Sequence, residues 1–420
     1  MAFFSRNFLL LWQGQLVSQL GSQAFLIATT YYMLEAAGSA ALVAAVMMAS
    51  TVPMAILGPI GGTIADRHSR RTILVVTDLS RALAVGWLCL LVFSRPGAAP
   101  PPIVPIIAVA AFNGVMGAFF APAVQALIPD LVPNSRLAAA NSVSQMSRQA
   151  STLIGQALGG VLYVAWGLAG LLLFDALSFA YGGFATWFLP PDRKLSEARR
   201  SLGLALQRYA VDTGAGMAYI WRRTGMTAVL GVFAGVNCLF MPVFVLLPFY
   251  ARDVLGAGAE WYGFLLGGSG AGALAGSFAA GGVLARATAG AALVRSCVGG
   301  VACCVLLLAV SRSTWLALAA FVAIGLLSSI INIAVITTFQ SAVPSEVRGR
   351  VMAWVIALSS VAVPIGMGLG GVLGELWGGS LRLVFAGCGA AIAILVAVSW
   401  GTTGFNDVLT QQHRTRRRPE

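Results

Sequence analysis

Gly61-Gly62-Thr63-Ile64-Ala65-Asp66-Arg67-His68-Ser69-Arg70-Arg71 is the stretch on which the reading of this chain turns. An acid, three arginines and a histidine fall between Asp66 and Arg71. Upstream, from about residue 8 to Ala65, the only charged residue is Glu35. Downstream, to about Ser94, only Asp78 and Arg81 carry charge. Hydrocarbon rejects such a cluster, because each charge at mid-membrane costs several kcal/mol. The stretch therefore reads as a tight loop on one membrane face, between helices that cross the bilayer.

The rest of the chain agrees. It has 420 residues, 58% hydrophobic and 10% charged, against about 25% charged in soluble domains. Its mean hydropathy is +0.86. A crossing helix takes about 20 apolar residues. Twelve windows qualify, at about 8–34, 40–65, 72–94, 103–127, 138–163, 168–189, 224–250, 259–285, 290–311, 314–339, 349–373 and 380–402. The first runs past signal-peptide length with no evident cleavage site, so it is expected to stay in the mature protein. The expectation is an all-α membrane protein of twelve transmembrane helices.

Net charge is +12. With the N-terminus placed inside, 19 of the 26 Lys and Arg residues fall on inner segments and 4 on outer ones. Basic residues gather on cytoplasmic loops and set orientation, so both termini are expected in the cytoplasm. The basic tail His413–Arg418 suits anionic lipid headgroups rather than nucleic acid. The six Cys all lie in the apolar windows without metal-ligand spacing, so they read as packing residues, and no metal site is expected.

The longest polar interruption, Pro190–Arg223, divides the windows six and six. The expected domains are a six-helix bundle over 1–190, a cytoplasmic linker with an amphipathic helix over 191–223, a second bundle over 224–404 and a tail over 405–420. The bundles look like repeats. Gly159-Gly160 matches Gly370-Gly371, and Trp166-Gly167 matches Trp377-Gly378, both 211 residues on. Parallel repeats of this kind place a solute site between them near the membrane midplane.

Several motifs carry a family resemblance. Gly62-x-x-x-Asp66-Arg67-x-x-Arg70-Arg71 resembles the loop between helices 2 and 3 of major facilitator superfamily transporters. Leu11-Trp12-x-Gly14-Gln15-x-x-Ser18-x-x-Gly21, Ala118-Phe119-Phe120-Ala121-Pro122-Ala123 and Gln340-x-x-Val343-Pro344-x-Glu346-x-Arg348-Gly349-Arg350 resemble, more narrowly, the branch of enterobactin exporters and macrolide efflux proteins. The resemblance implies two pseudo-symmetric six-helix bundles, alternating access, a bacterial inner-membrane location and a monomer working on a small molecule, fuelled by the proton gradient with no bound cofactor. Departures stand beside it. Ser69 and Gln156 occupy positions where the family usually has Gly and Pro. The helix 4 Arg often tied to proton coupling is absent near Ala110, and a common helix 1 Asp is absent near Ser22.

Charges inside the membrane are the first functional candidates. Arg148 lies about 10 residues into helix 5, hence about 15 Å deep. In the family helix 5 lines the cavity, so Arg148 is a candidate contact for an anionic solute group or an internal acid. Asp175, on helix 6, is a candidate proton carrier or partner of Arg148. Gln15, Gln19 and Ser22 form a polar face of helix 1, and Asn113, Asn237 and Asn332 add amides on helices 4, 7 and 10. The expected cytoplasmic gate comprises Gly62, Asp66, Arg67, Arg70, Arg71 and Asp130, with Asp78 and Arg81 supporting the loop from helix 3. Gly155, Gly159 and Gly160 form the helix 5 motif.

Enzymatic readings fare poorly. The only His are His68 and His413, both outside the apolar windows, and the single Lys194 sits in no phosphate-binding loop, so neither a His-based site nor ATP as fuel is expected. The leading reading is a secondary active exporter of an amphipathic drug, siderophore or natural product by proton antiport. Lipid flipping (lysophospholipid-type) or nutrient uptake is the alternative, and a non-transporting membrane sensor the remote one.

Overall fold

The computed structural model describes residues 5–94, 102–190, 219–221, 224–286, 290–377 and 380–400. The basic tail lies outside the described residues, and so does the linker apart from one helical turn at 219–221. Every regular element among the described residues is helical.

Helices α1 (Arg6–Ala37), α2 (Ala40–Ala65), α3 (Arg70–Phe93) and α4 (Ile103–Leu131) open the chain. A helical run then extends over Leu137–Trp187, but Gly167 interrupts it with φ 63 and ψ −170. That conformation suits only a residue without a Cβ, so the run is two helices, α5 over 137–166 and α6 over 168–187. There follow α7 (Thr224–Phe249), a π-helical turn (Tyr250–Val254), α8 (Ala259–Arg286), α9 (Gly290–Val310), α10 (Thr314–Ala342), α11 (Ser345–Leu376) and α12 (Leu381–Trp400). Local sequence sets several starts. Ser5, Ser39, Ser69 and Ser313 each accept a backbone N–H three residues on, satisfying one orphan donor of the first turn. Gly38, at φ 61, closes α1 by returning its N–H to Leu34 O.

Among the described residues nine helical runs are long and apolar enough to cross a bilayer, α5 and α6 counting as one. Helix α1 is not among them, because Gln13, Gln15, Gln19 and Gln23 dilute its apolar surface. Only Ser360–Leu376 of α11 is strongly apolar. These are sequence windows in which a polar face has been built into a crossing helix.

Two compact units result, Met1–Ala205 with Gly256–Gly267, and Leu206–Leu255 with Gly268–Glu420. The repeat seen in the sequence governs how each is packed. In the first, a Cβ on Gly114 of α4 would lie 2.3 Å from Ser50 O of α2. In the second, 211 residues on, a Cβ on Gly325 of α10 would lie 1.9 Å from Ser269 O of α8. Gly155 and Gly159 of α5 press on Gln23 and on Ala24 and Ile27 of α1; Gly366 and Gly370 of α11 press on Cys238 and Pro242 of α7. Small residues let backbones meet where lipid supplies no hydrophobic drive. Gly160 packs against Gly263 at the start of α8, within the first unit. In the second unit Arg295 of α9 donates to Ser399 Oγ and O near the end of α12, where cations meet orphan carbonyls.

Candidate functional site

Six helices of the first unit surround a cavity of about 520 Å³. Helix α1 contributes Gln15, Ser18, Gln19, Ser22 and Gln23, which recur every three or four residues and so share one face. Helix α5 contributes Gln145, Arg148 and Thr152, again one face. Arg81 enters from α3 and Gln125 from α4. The apolar part of the wall is Met54, Phe120, Val124 and Phe179. Amides and two guanidiniums thus face an aromatic and aliphatic surface.

Depth follows from helix rise. Arg81 is 11 residues past the start of α3 and Arg148 is 11 past the start of α5, each about 16 Å in at 1.5 Å per residue. Both stand near the middle of a core about 30 Å thick. This corrects the sequence reading of Asp78 and Arg81 as support for the 66–71 loop. Counting rises from the capped start at Ser69 puts them two to three turns inside.

The two arginines have different surroundings. Arg148 is half-buried, and its Nη2 donates a short hydrogen bond to Gln145 Oε1 one turn away. Arg81 is 7% exposed and is held by charge. Its Nη1 lies 3.9 Å from Asp78 Oδ1, and it interacts electrostatically with Asp175 as well. Its guanidinium stacks over Phe120 at 5.1 Å and Phe179 at 5.3 Å, a geometry in which ring quadrupoles attract the cation. Asp175, a candidate proton carrier or partner of Arg148 on the sequence, belongs to this cluster. It is fully buried beside Gly21 and Ser178. Ser178 Oγ donates to the backbone carbonyl of Asp175 at 2.8 Å, and the Asp175 carboxyl oxygens have no hydrogen-bond partner among the described residues. Asp78 is 2% exposed, and its Oδ2 would lie 3.1 Å from a Cβ on Gly182.

Buried polar atoms are nearly always hydrogen-bonded. Gln15 Nε2, Gln19 Oε1 and Arg81 Nε are buried, line the cavity and have no partner among the described residues. They are the groups best placed to receive a solute. The other expected amides are placed differently. Asn113 is outside the cavity lining, although its Oδ1 is also unpartnered. Asn237 donates to Phe233 O on its own helix at 2.8 Å. Asn332 is exposed on α10 in the second unit. Gln156, at the position usually held by Pro, donates to Gln23 Oε1 at 3.0 Å and joins α5 to α1. Sequence reading missed Phe120, Phe179, Gln125, Gln145 and Thr152. For the last two the signal was available, since they flank Arg148 at i−3 and i+4.

The loop motif is rearranged relative to expectation. Arg70 donates to Asp130 Oδ2 at 2.5 Å and to Ala126 O at 2.9 Å, tying α3 to α4. Arg71 donates to Trp187 O and lies over the Trp187 ring, tying α3 to α6. Both ties lie inside the first unit. Asp66 is exposed at the end of α2. The packed glycine is Gly61, whose Cβ would meet Ala118 O at 2.0 Å, whereas Gly62 faces open space. Among the described residues no three His, Cys, Asp or Glu side chains converge as metal ligands.

A membrane-embedded polar cavity in one of two repeated helical bundles is the architecture of a solute carrier. The family model for the Major Facilitator Superfamily matches residues 11–363. The chain belongs to the major facilitator superfamily. Among its relatives, macrolide efflux protein A of Streptococcus pyogenes is 28% identical over 59% of each chain. The MFS-type transporter YfiS of Bacillus subtilis (strain 168) is 26% identical over 89% of this chain and 88% of that one. Thus the match spans only 59% of the length of the first of these relatives. The crystal structure of the nucleoside transporter NupG superposes with a TM-score of 0.76 at 12% identity, covering 94% of this chain and 99% of that one; it shows the fold. This superfamily member is a multi-pass membrane protein with the major facilitator fold.

Proposed function

We propose that this transporter is a secondary active exporter of an amphipathic small molecule, working by alternating access with protons moving inward in exchange. One observation carries the reading. The cavity at mid-membrane depth pairs unpartnered amide atoms of Gln15 and Gln19 with the apolar wall of Phe120, Val124 and Met54. A solute with a ring or aliphatic body, an acceptor for Gln15 Nε2 and a donor for Gln19 Oε1 satisfies both. Arg148 is the adaptable donor, since its side-chain tie, to Gln145, is neutral and local.

Charge bookkeeping favours an exchange. Arg81, Arg148, Asp78 and Asp175 sum to zero when both acids are ionised. A neutral or cationic amphiphile is then admitted despite the two guanidiniums. Similarity to macrolide efflux protein A supports outward transport of such compounds. The basic-residue bias of the inner segments supports an orientation with both termini in the cytoplasm of a bacterial inner membrane.

The test uses erythromycin, a macrolide with an amine. Everted membrane vesicles holding the full chain are energised to an acidic interior. The expected result is accumulation of labelled erythromycin that collapses when nigericin removes the gradient. Accumulation equal to that of vesicles lacking the protein overturns the reading.

A further inference from the structure

We propose that Asp78 and Asp175 share one exchangeable proton, and that Arg81 transmits the charge of this site to the solute cavity. The proposal rests on the exporter reading and names its proton-binding site.

Two carboxyls and one guanidinium lie in a site where Asp78 is 2%, Asp175 0% and Arg81 7% exposed. Both Asp175 oxygens and Asp78 Oδ1 have no hydrogen-bond partner among the described residues. An ionised carboxylate removed from water needs hydrogen bonds or a countercharge. One guanidinium 3.9 Å from Asp78 supplies one countercharge for two acids. A single proton on the pair restores neutrality. Among the described residues, no charged side chain other than Arg81 acts on the pair. Helix α1 brings Ser18 and Gly21, α4 brings Phe120, and α6 brings Ser178. Arg148 is the remaining charged group in the cavity wall. Because Arg81 pairs with Asp78, interacts electrostatically with Asp175 and lines the cavity, it is the group through which the proton and a solute sense each other.

The sign follows. Without the proton, Arg81, Arg148 and the two carboxylates sum to zero; with it they sum to +1. A cationic solute therefore binds the deprotonated site and expels the proton, which is the linkage an exchanger needs. An anionic solute draws Arg81 toward the cavity and binds together with the proton. Replacing either acid by Asn fixes the sum at +1, so both single variants behave as the permanently protonated site.

The experiment uses purified full chain with tetraphenylphosphonium, whose charge does not titrate, and taurocholate, whose sulfonate stays ionised. For the wild type, tetraphenylphosphonium affinity should fall about tenfold per pH unit on acidification where one proton competes, and about one proton should be released per cation bound. Taurocholate should show the opposite pH trend. Asp175→Asn and Asp78→Asn should each bind the cation weakly and without pH dependence. Infrared difference spectra of the unliganded protein provide a second readout. The wild type should show a buried protonated-carboxyl stretch, shifted in heavy water and lost in each single variant. If one variant does not fold, the other reports the same shared proton. Overturning results are wild-type cation binding that ignores pH, absence of the carboxyl stretch, or its persistence in both variants. If neither probe binds, the exporter reading of the cavity fails, and the infrared result alone decides the proton site.

Discussion

Replacing Arg81 with Gln should destabilise the protein severely, while the same change at Arg148 should not. The two residues sit at equal depth, yet they differ in what they leave behind. Arg81→Gln strips the countercharge from Asp78 and Asp175, both almost wholly buried. Breaking a buried ion pair by deleting one partner costs about 3–5 kcal/mol. It also loses stacking on Phe120 and Phe179, each contact contributing about 0.5–2 kcal/mol. Taking about 2–4 °C of Tm per kcal/mol for units near 200 residues, the expected drop exceeds about 6 °C. Arg148→Gln loses one hydrogen bond to Gln145 in a half-exposed position, worth about 1 kcal/mol at most, hence under about 4 °C. The free thiols give the assay. Cys89, Cys297 and Cys388 are buried, so a thiol-reactive fluorophore reports unfolding of detergent-solubilised protein. The triple change Arg81→Gln, Asp78→Asn, Asp175→Asn should recover most of the lost Tm, because it removes the uncompensated acids together with their partner. A wild-type Tm for Arg81→Gln, or a triple variant no better than the single, would refute the charge argument.

Other expectations follow from packing. Gly21→Ala would place a Cβ 2.1 Å from Ser178 Oγ and 2.7 Å from Asp175 Oδ1; it should cost about 1–3 kcal/mol, partly restored by Ser178→Ala in a double-mutant cycle read by Tm. Gly325→Ala, 1.9 Å from Ser269 O, should destabilise by a similar amount, whereas Gly299→Ala, with nothing within 4 Å, should be neutral or stabilising by up to about 1 kcal/mol. Asp130→Asn should shift Tm by less than about 4 °C, because its pair with Arg70 is 29% and 42% exposed and such pairs contribute about 1 kcal/mol or less.

The helices were legible because the bilayer leaves few alternatives, and the repeat because identical offsets recur in both halves. The consequences of the repeat were less visible. Gly114 and Gly325 look like ordinary helix glycines until the backbone of α2 or α8 lies against them. Among site residues, the α1 amides were found from period alone, since Gln15, Gln19, Ser22 and Gln23 need only a helix to share a face. Asp78 and Arg81 were recognised as a pair but assigned to the wrong depth, by proximity to the charged loop rather than by counting rises from Ser69. Asp175 was recognised as a buried acid, yet its partner on α3 lies 94 positions away and no local pattern encodes that meeting. The Gln156 departure from the usual Pro became intelligible only when Gln23 appeared opposite it.

The central claim is that solute passes through the cavity at Arg148, Gln15 and Gln19 in exchange for protons. Proteoliposomes containing equal amounts of wild type or Arg148→Gln, loaded at acidic pH and diluted into alkaline buffer with labelled erythromycin, test it most directly. The expected result is saturable, gradient-dependent erythromycin accumulation by the wild type and a loss of about tenfold or more in Arg148→Gln, with the variant folded and its Tm nearly unchanged. Undiminished accumulation in Arg148→Gln, or wild-type flux indifferent to the gradient, would contradict it.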